Sequence, residues 1–104
     1  MGPNHVQTAR VLRELGHAHV TLGEHTEAVP LLERSLVIFE QEHGRYKVEA
    51  AKTLRCLGVA HGSGGETEAA VRELERARGI FAREYGPAHS EVNTTAEALA
   101  RVVA

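Results

Sequence analysis

Apolar positions recur with a helical period twice within the first repeat of this chain. The first stripe consists of Leu12, Leu15, Gly16 and His19. Their offsets of 0, 3, 4 and 7 residues place them on one face of a helix. The second stripe holds offsets 0, 4, 7 and 11 and consists of Ala28, Leu32, Ser35 and Phe39. Gly23-Glu24 interrupts the period between them. The pattern predicts a helix, a short turn and an antiparallel helix.

The same pattern returns 42 positions later without a gap. Leu15-Gly16 becomes Leu57-Gly58 (57 − 15 = 42), and Ile38-Phe39 becomes Ile80-Phe81 (80 − 38 = 42). A third copy opens at residues 86–89, Gly-Pro-Ala-His, which match Gly-Pro-Asn-His at residues 2–5. Self-similarity at one fixed spacing indicates helical units that stack side by side.

The predicted helices span residues 5–21, 25–42, 47–61, 67–84 and 89–103. Gly44 and Gly86 stand where a left-handed cap would end the second helix of each repeat. We therefore expect one all-α domain over residues 1–104. Repeat 1 covers about 2–43, repeat 2 about 44–85, and a half repeat or capping helix about 86–104.

Small and large apolar residues divide the predicted core between them. Helices that pack at 8 to 10 Å need small residues where their backbones cross, which we assign to Gly16, Ala28, Gly58 and Ala70. The large residues assigned to the core are Leu12, Leu15, Leu32 and Phe39 in the first repeat, and Leu54, Leu57, Leu74 and Phe81 in the second.

These residues resemble the tetratricopeptide repeat (TPR) family. The matching positions are Leu15-Gly16, Ala28 and Ser35, and again Leu57-Gly58, Ala70 and Ala77. The 42-residue spacing, the stretch 27–36 and the Gly-Pro-x-His linker resemble the kinesin-light-chain type. The resemblance implies a right-handed α-solenoid with two helix-turn-helix repeats and a C-terminal capping helix. His19 and His61 depart from it, because the family usually has an aromatic residue there, and Arg13-Glu14 and Arg55-Cys56 replace its usual Asn pairs.

The resemblance also implies a binding groove lined by the first helix of each repeat. The groove positions that it implies are Arg10, Arg13, His17, Thr21, Lys52, Arg55, Val59, Ser63, Thr94, Glu97 and Arg101. Because guanidinium groups pair with carboxylates, an acidic or C-terminal segment of a protein partner would suit this face. A solvated charged face is the competing interpretation. Reversing the charges of Arg13 and Arg55 together is expected to abolish binding.

Charge and composition exclude several other classes. Twelve basic and fourteen acidic residues give a net charge of −2, which favours neither nucleic acid nor an anionic membrane as partner. No apolar run is long enough to cross a bilayer. The single cysteine suits a reducing compartment, so we expect a cytoplasmic protein.

The seven histidines do not form a recognisable chemical motif. No two of them are four residues apart, no His-Glu-x-x-His is present, and Cys56 lacks a Cys-x-x-Cys partner. We predict no catalytic residue, metal or cofactor. His19 and His61 occupy equivalent positions, and we interpret them as packed imidazoles with one hydrogen bond each. A shared metal site and a pH-sensitive packing role are the alternatives.

The leading hypothesis is a non-catalytic protein-protein interaction module. The alternative is a structural or self-associating fragment of a larger multidomain regulatory protein, including a homo-oligomer formed through exposed solenoid ends. A His-based metal-binding protein ranks below both. Since residues 2–5 resemble a linker between repeats, we expect the chain to be part of a longer array, with a natural three-part protein as the alternative.

Overall fold

The computed structural model describes residues 4–104, and in this part of the chain it contains five helices and no strand. They are α1 (Asn4–Thr21), α2 (His25–Glu40), α3 (Lys47–Ser63), α4 (Thr67–Tyr85) and α5 (Ser90–Val103). Each predicted helix end lies within two residues of the observed one, so the all-α prediction is confirmed. The first part of the predicted linker, Gly2-Pro3, lies outside the described residues.

Glycines in the left-handed region form the turns, and they obey the same 42-residue spacing. Gly23 (φ 77°) and Gly65 (φ 84°) separate the two helices within each hairpin. Gly44 (φ 82°) and Gly86 (φ 99°) follow the second helix of each hairpin. A side chain with a Cβ is strained in this region, which favours glycine at these four turn positions. Gly86 directly follows α4 as predicted, but the predicted cap at Gly44 is wrong, because α2 already ends at Glu40 and is followed by a longer turn.

Helices α1 and α2 form one antiparallel hairpin, α3 and α4 form the next, and α5 packs on α4. The two helices within each hairpin approach closely because a glycine of the first helix faces a leucine of the second. A Cβ at Gly16 would lie 2.6 Å from Cγ of Leu32, and one at Gly58 would lie 2.5 Å from Cγ of Leu74. Buried Ser35 adds a polar link between α1 and α2, where its hydroxyl donates to the Ala9 carbonyl at 2.8 Å.

The buried core contains seven of the eight predicted large residues: Leu12, Leu32, Phe39, Leu54, Leu57, Leu74 and Phe81. The prediction for Leu15 is wrong, because its side chain is 47% exposed. Its counterpart Leu57 is buried against Ala28 and Leu32 of α2. Leu15 occupies the same place on α1, where no described helix covers it. Burial of this position therefore depends on having a hairpin on its open side.

The helices are also short or polar compared with membrane spans. Among the described residues, no helix combines the length and the apolar character needed to cross a bilayer.

Candidate partner-binding face

Helices α1, α3 and α5 lie side by side, because α3 contacts both α1 and α5. We call the surface that these three helices form the first-helix face. It arises because every hairpin enters the stack with its first helix on the same side. The groove residues implied by the sequence lie on these helices.

The first concavity of this face, the α1/α3 pocket, has a volume of about 280 Å³. It brings together four of the implied groove residues, Arg13, His17, Lys52 and Arg55. Three further residues complete its lining: Glu14, Cys56 and Glu91. The pocket thus holds three basic and two acidic side chains, so its lining is close to electrically balanced.

Arg55 is held by the neighbouring helix. Its Nη1 donates to Oε1 of Glu91 at 2.6 Å and to the Thr95 hydroxyl at 3.3 Å. Its guanidinium carbon also lies 5.1 Å from the centre of the Phe81 ring, within the range of cation–π attraction. The hydrogen bond from Arg55 holds the pKa of Glu91 below its ordinary value, against the opposing effect of burial. Arg55 therefore joins α3 to α5.

Arg10 performs a related role between α1 and α3, whereas Arg13 contacts residues of its own hairpin. Nε of Arg10 donates to Oε2 of Glu49 at 3.1 Å. The Arg13 side chain is 15% exposed, and its guanidinium carbon lies 5.8 Å from the Phe39 ring centre. In the described part of the chain, Nη1 of Arg13 and Oε1 of Glu49 are buried without a hydrogen-bond partner. Much of the basic charge implied for the groove is thus engaged within the protein.

The second concavity, the α3/α5 pocket, also has a volume of about 280 Å³ but a different character. Its lining is Val59, Gly62, Ser63, Ala98, Arg101 and Val102, in which Arg101 is the one charged residue. Gly62 corresponds to Val20 of the first repeat (62 − 20 = 42), so a valine side chain is missing at this place. A Cβ at Gly62 would lie 2.9 Å from Cγ2 of Val102, so the glycine lets α5 approach.

The implied groove residues other than the three bound arginines differ in their exposure to solvent. His17, Thr21, Ser63 and Arg101 are exposed, whereas Lys52 and Val59 are half-buried. Thr94 and Glu97 are exposed on α5, but the α5 residues that line the two pockets are Glu91, Ala98, Arg101 and Val102.

The sequence analysis missed the carboxylates that hold the arginines. Glu49 and Glu91 are separated by the repeat spacing (91 − 49 = 42), so the internal alignment contained a signal for them. It could not show which arginine each carboxylate meets. Arg10 binds Glu49, whereas Arg55, the counterpart of Arg13, binds Glu91.

The two unusual histidines each contact a carboxylate. Nδ1 of His19 lies 2.7 Å from Oε1 of Glu24, and Nδ1 of His61 lies 2.7 Å from Oε1 of Glu73. The expected hydrogen bond for each imidazole is confirmed. Among residues 4–104, no group of three or more His, Cys, Asp or Glu side chains is arranged to hold a metal ion.

Cys56 lies half-buried beside the arginines of the α1/α3 pocket. Burial raises the pKa of its thiol above 9.0, while the positive charges of Arg55 and Arg13 lower it to a smaller extent. A thiol with a raised pKa is a poor nucleophile near neutral pH.

The stacked helical hairpins define the class of this chain as an α-helical repeat protein with a TPR-like fold. Within it, residues 8–45 match the family model described as tetratricopeptide repeat. The match begins inside α1, includes α2 and reaches into the turn after it, and it supports a tetratricopeptide repeat in this part of the chain. No curated protein matches the chain. TPR units are interaction repeats that are in general non-catalytic.

Proposed function

We propose that this chain is a non-catalytic interaction module that binds a segment of a partner protein across the first-helix face. The observation that carries this proposal is the pair of open pockets between α1, α3 and α5. Both lie on one surface, and their linings offer polar, charged and apolar groups to a ligand. The match of the first hairpin to an interaction repeat supports the same conclusion.

An acidic partner segment remains part of the proposal, but fewer cations are available to bind it than the sequence implied. Arg10 and Arg55 already bind Glu49 and Glu91. Among the described residues, Lys52 and Arg101 form no ion pair, so these two carry the proposed attraction for carboxylates. Reversing the charge of Arg55 would place a carboxylate beside Glu91 and destabilise the stack, so that variant is a poor probe of binding.

The experiment is selection of a phage-displayed random dodecapeptide library on the immobilised chain, followed by anisotropy titration of the enriched peptides. The test variant is Lys52→Glu, and the matched control is Arg34→Glu, which makes the same charge change at an exposed position of α2. Binding that falls at least about fivefold in Lys52→Glu alone supports the first-helix face. Equal loss in both variants, or no enriched peptide, contradicts it.

Three narrower assignments belong to the same proposal. The 42-residue spacing and the Gly-Pro-x-His linker support the kinesin-light-chain type of repeat. The positive-φ glycines at 44 and 86 support repeat boundaries near these residues. The free thiol of Cys56 suits a reducing compartment, and we place the protein in the cytoplasm on that ground.

Self-association is the second candidate, and exposed apolar side chains on the open side of α1 favour it. Val11 is 65% exposed and Leu15 is 47% exposed, whereas their counterparts Thr53 and Leu57 are buried. Sedimentation velocity between about 5 and 500 μM tests this, with Leu15→Lys as the disrupting variant. A sedimentation coefficient that does not change with concentration would exclude association in this range.

A further inference from the structure

We propose that the first-helix face selects an extended segment that carries an acidic residue and an aliphatic residue about four positions apart. The acidic side chain occupies the α1/α3 pocket, and the aliphatic side chain occupies the α3/α5 pocket. This inference rests on the proposed function and specifies the chemistry of its ligand.

The α3/α5 pocket fits an aliphatic side chain because valine and alanine side chains line it beside Ser63 and Arg101. Val59, Ala98 and Val102 supply methyl groups, and Gly62 lets the Val102 side chain pack directly against α3, since a Cβ there would lie 2.9 Å from Cγ2 of Val102. No carboxylate lines this pocket, and Arg101 is the charged group among its lining residues. Burial of a Leu or Val side chain from the partner would remove apolar surface on both sides from water.

The α1/α3 pocket fits a carboxylate because its lining holds three cations and two carboxylates. Arg55 is bound to Glu91 at 2.6 Å, and Arg13 lies 3.8 Å from Glu14. Lys52 has no ion pair among the described residues, and His17 is exposed on the opposite wall. An incoming carboxylate can therefore pair with the Lys52 ammonium and accept a hydrogen bond from the imidazole of His17.

The separation of the pockets sets the spacing of the two side chains. On α3, the polar pocket uses residues 52–56 and the apolar pocket uses residues 59–63. This offset of seven residues (59 − 52 = 7) corresponds to about 10 Å along the helix. Crossing from one side of α3 to the other is a displacement of about 10 Å perpendicular to the helix. The two perpendicular displacements combine to about 14 Å, a distance that about four residues of extended chain span.

The test begins with the sequences enriched by the dodecapeptide library. The expected result is an acidic and an aliphatic position separated by three to five residues, with other positions variable. Enriched peptides without that pairing would overturn this inference while leaving the proposed function intact. A library that yields no binder would instead contradict the proposed function itself.

The second step is a double-mutant cycle between the protein and one enriched peptide. Lys52→Thr and Val59→His are chosen because each imports a residue that another repeat carries at the equivalent place, Thr94 or His17 (94 − 52 = 42; 59 − 17 = 42). Changing the peptide Glu to Gln should weaken binding about fivefold to wild type but have little effect with Lys52→Thr. Changing its Leu to Ala should cost about tenfold with wild type but less with Val59→His.

Two controls keep this cycle interpretable. Circular dichroism must show that both variants retain the wild-type helical signal, and Arg34→Glu must leave peptide affinity unchanged. Peptide changes that cost the same in wild type and in both variants would overturn the assignment of side chains to pockets. A coupling energy between Lys52 and the peptide Leu, instead of the peptide Glu, would overturn that assignment as well.

Discussion

Arg55 and Glu91 form a 2.6 Å ion pair that joins α3 to α5 across the first-helix face. Both side chains are largely shielded from water, with exposed fractions of 21% and 27%. The aromatic ring of Phe81 lies beneath the guanidinium. Arg55, which the resemblance to TPR repeats implied as a ligand-binding residue, therefore helps to hold α5 in place against α3.

Stability should depend on pH through Glu91. The Arg55 hydrogen bond lowers the pKa of this carboxyl from its ordinary value of 4.5, so the ionised form favours the folded state. The resulting stabilisation is present above pH 4.5 and is lost as the pH falls through the lower folded-state value. Glu91→Gln should cost about 1 kcal/mol at pH 7, and the cost should fall as the pH is lowered to 3. Urea denaturation at both pH values measures the difference.

The control for that measurement is Glu97→Gln on the same helix. Glu97 is exposed, and no ion pair is found for it among the described residues. Its substitution should change the free energy of unfolding by the same small amount at both pH values. A pH-independent cost for Glu91→Gln would show that the ion pair with Arg55 does not stabilise the fold.

Equivalent leucines should differ in their contribution to stability. Leu57→Ala removes a side chain that is 1% exposed and should cost about 2 to 5 kcal/mol. Leu15 occupies the matching position of the first repeat, but its side chain is 47% exposed. Leu15→Ala should therefore cost less than about 1 kcal/mol. Thermal melts at a fixed low concentration compare the two. Similar losses would mean that Leu15 is covered in solution, as self-association would require.

Two helical glycines should respond to alanine with opposite signs. A Cβ at Gly58 would lie 2.5 Å from Cγ of Leu74, so Gly58→Ala forces the hairpin apart and should cost about 1 to 3 kcal/mol. A Cβ at Gly79 has the Arg83 guanidinium at 3.7 Å as its nearest neighbour, which is ordinary contact. Gly79→Ala should therefore stabilise α4 by up to about 1 kcal/mol. Chemical denaturation checks both, and a stabilising Gly58→Ala would disprove the close approach.

The Cys56 thiol should react slowly in the folded protein. Because burial raises its pKa above 9.0, the fraction of thiolate near neutral pH is small. The rate of alkylation by iodoacetamide, followed by mass spectrometry from pH 7 to pH 10.5, should keep rising past pH 9. Unfolding in urea should remove this shift. A rate that reaches its plateau below pH 8 would instead indicate an activated thiolate.

The recurring Leu-Gly and Ala positions were enough to predict five helices and their turns, because hydrophobic period and left-handed glycine are local properties. The burial of Leu15 was wrongly predicted, because burial depends on which helix lies opposite. The sequence placed Arg10 and Arg55 on the first helices of the two repeats, but their engagement with Glu49 and Glu91 depends on contacts between repeats. The apolar α3/α5 pocket also went unrecognised, because it requires Gly62 and Val102 to be neighbours.

The sequence by itself determined the helices, the 42-residue spacing, most of the core and the absence of a catalytic motif, because each follows from residue type and order. Tertiary structure decided which side chains on the first-helix face are available to a partner. Arg55 is engaged by Glu91 from 36 residues away, while Lys52 remains without an ion pair among the described residues. Electrostatic pairing acts through space, and only stacking of the hairpins brings these charges within reach of one another.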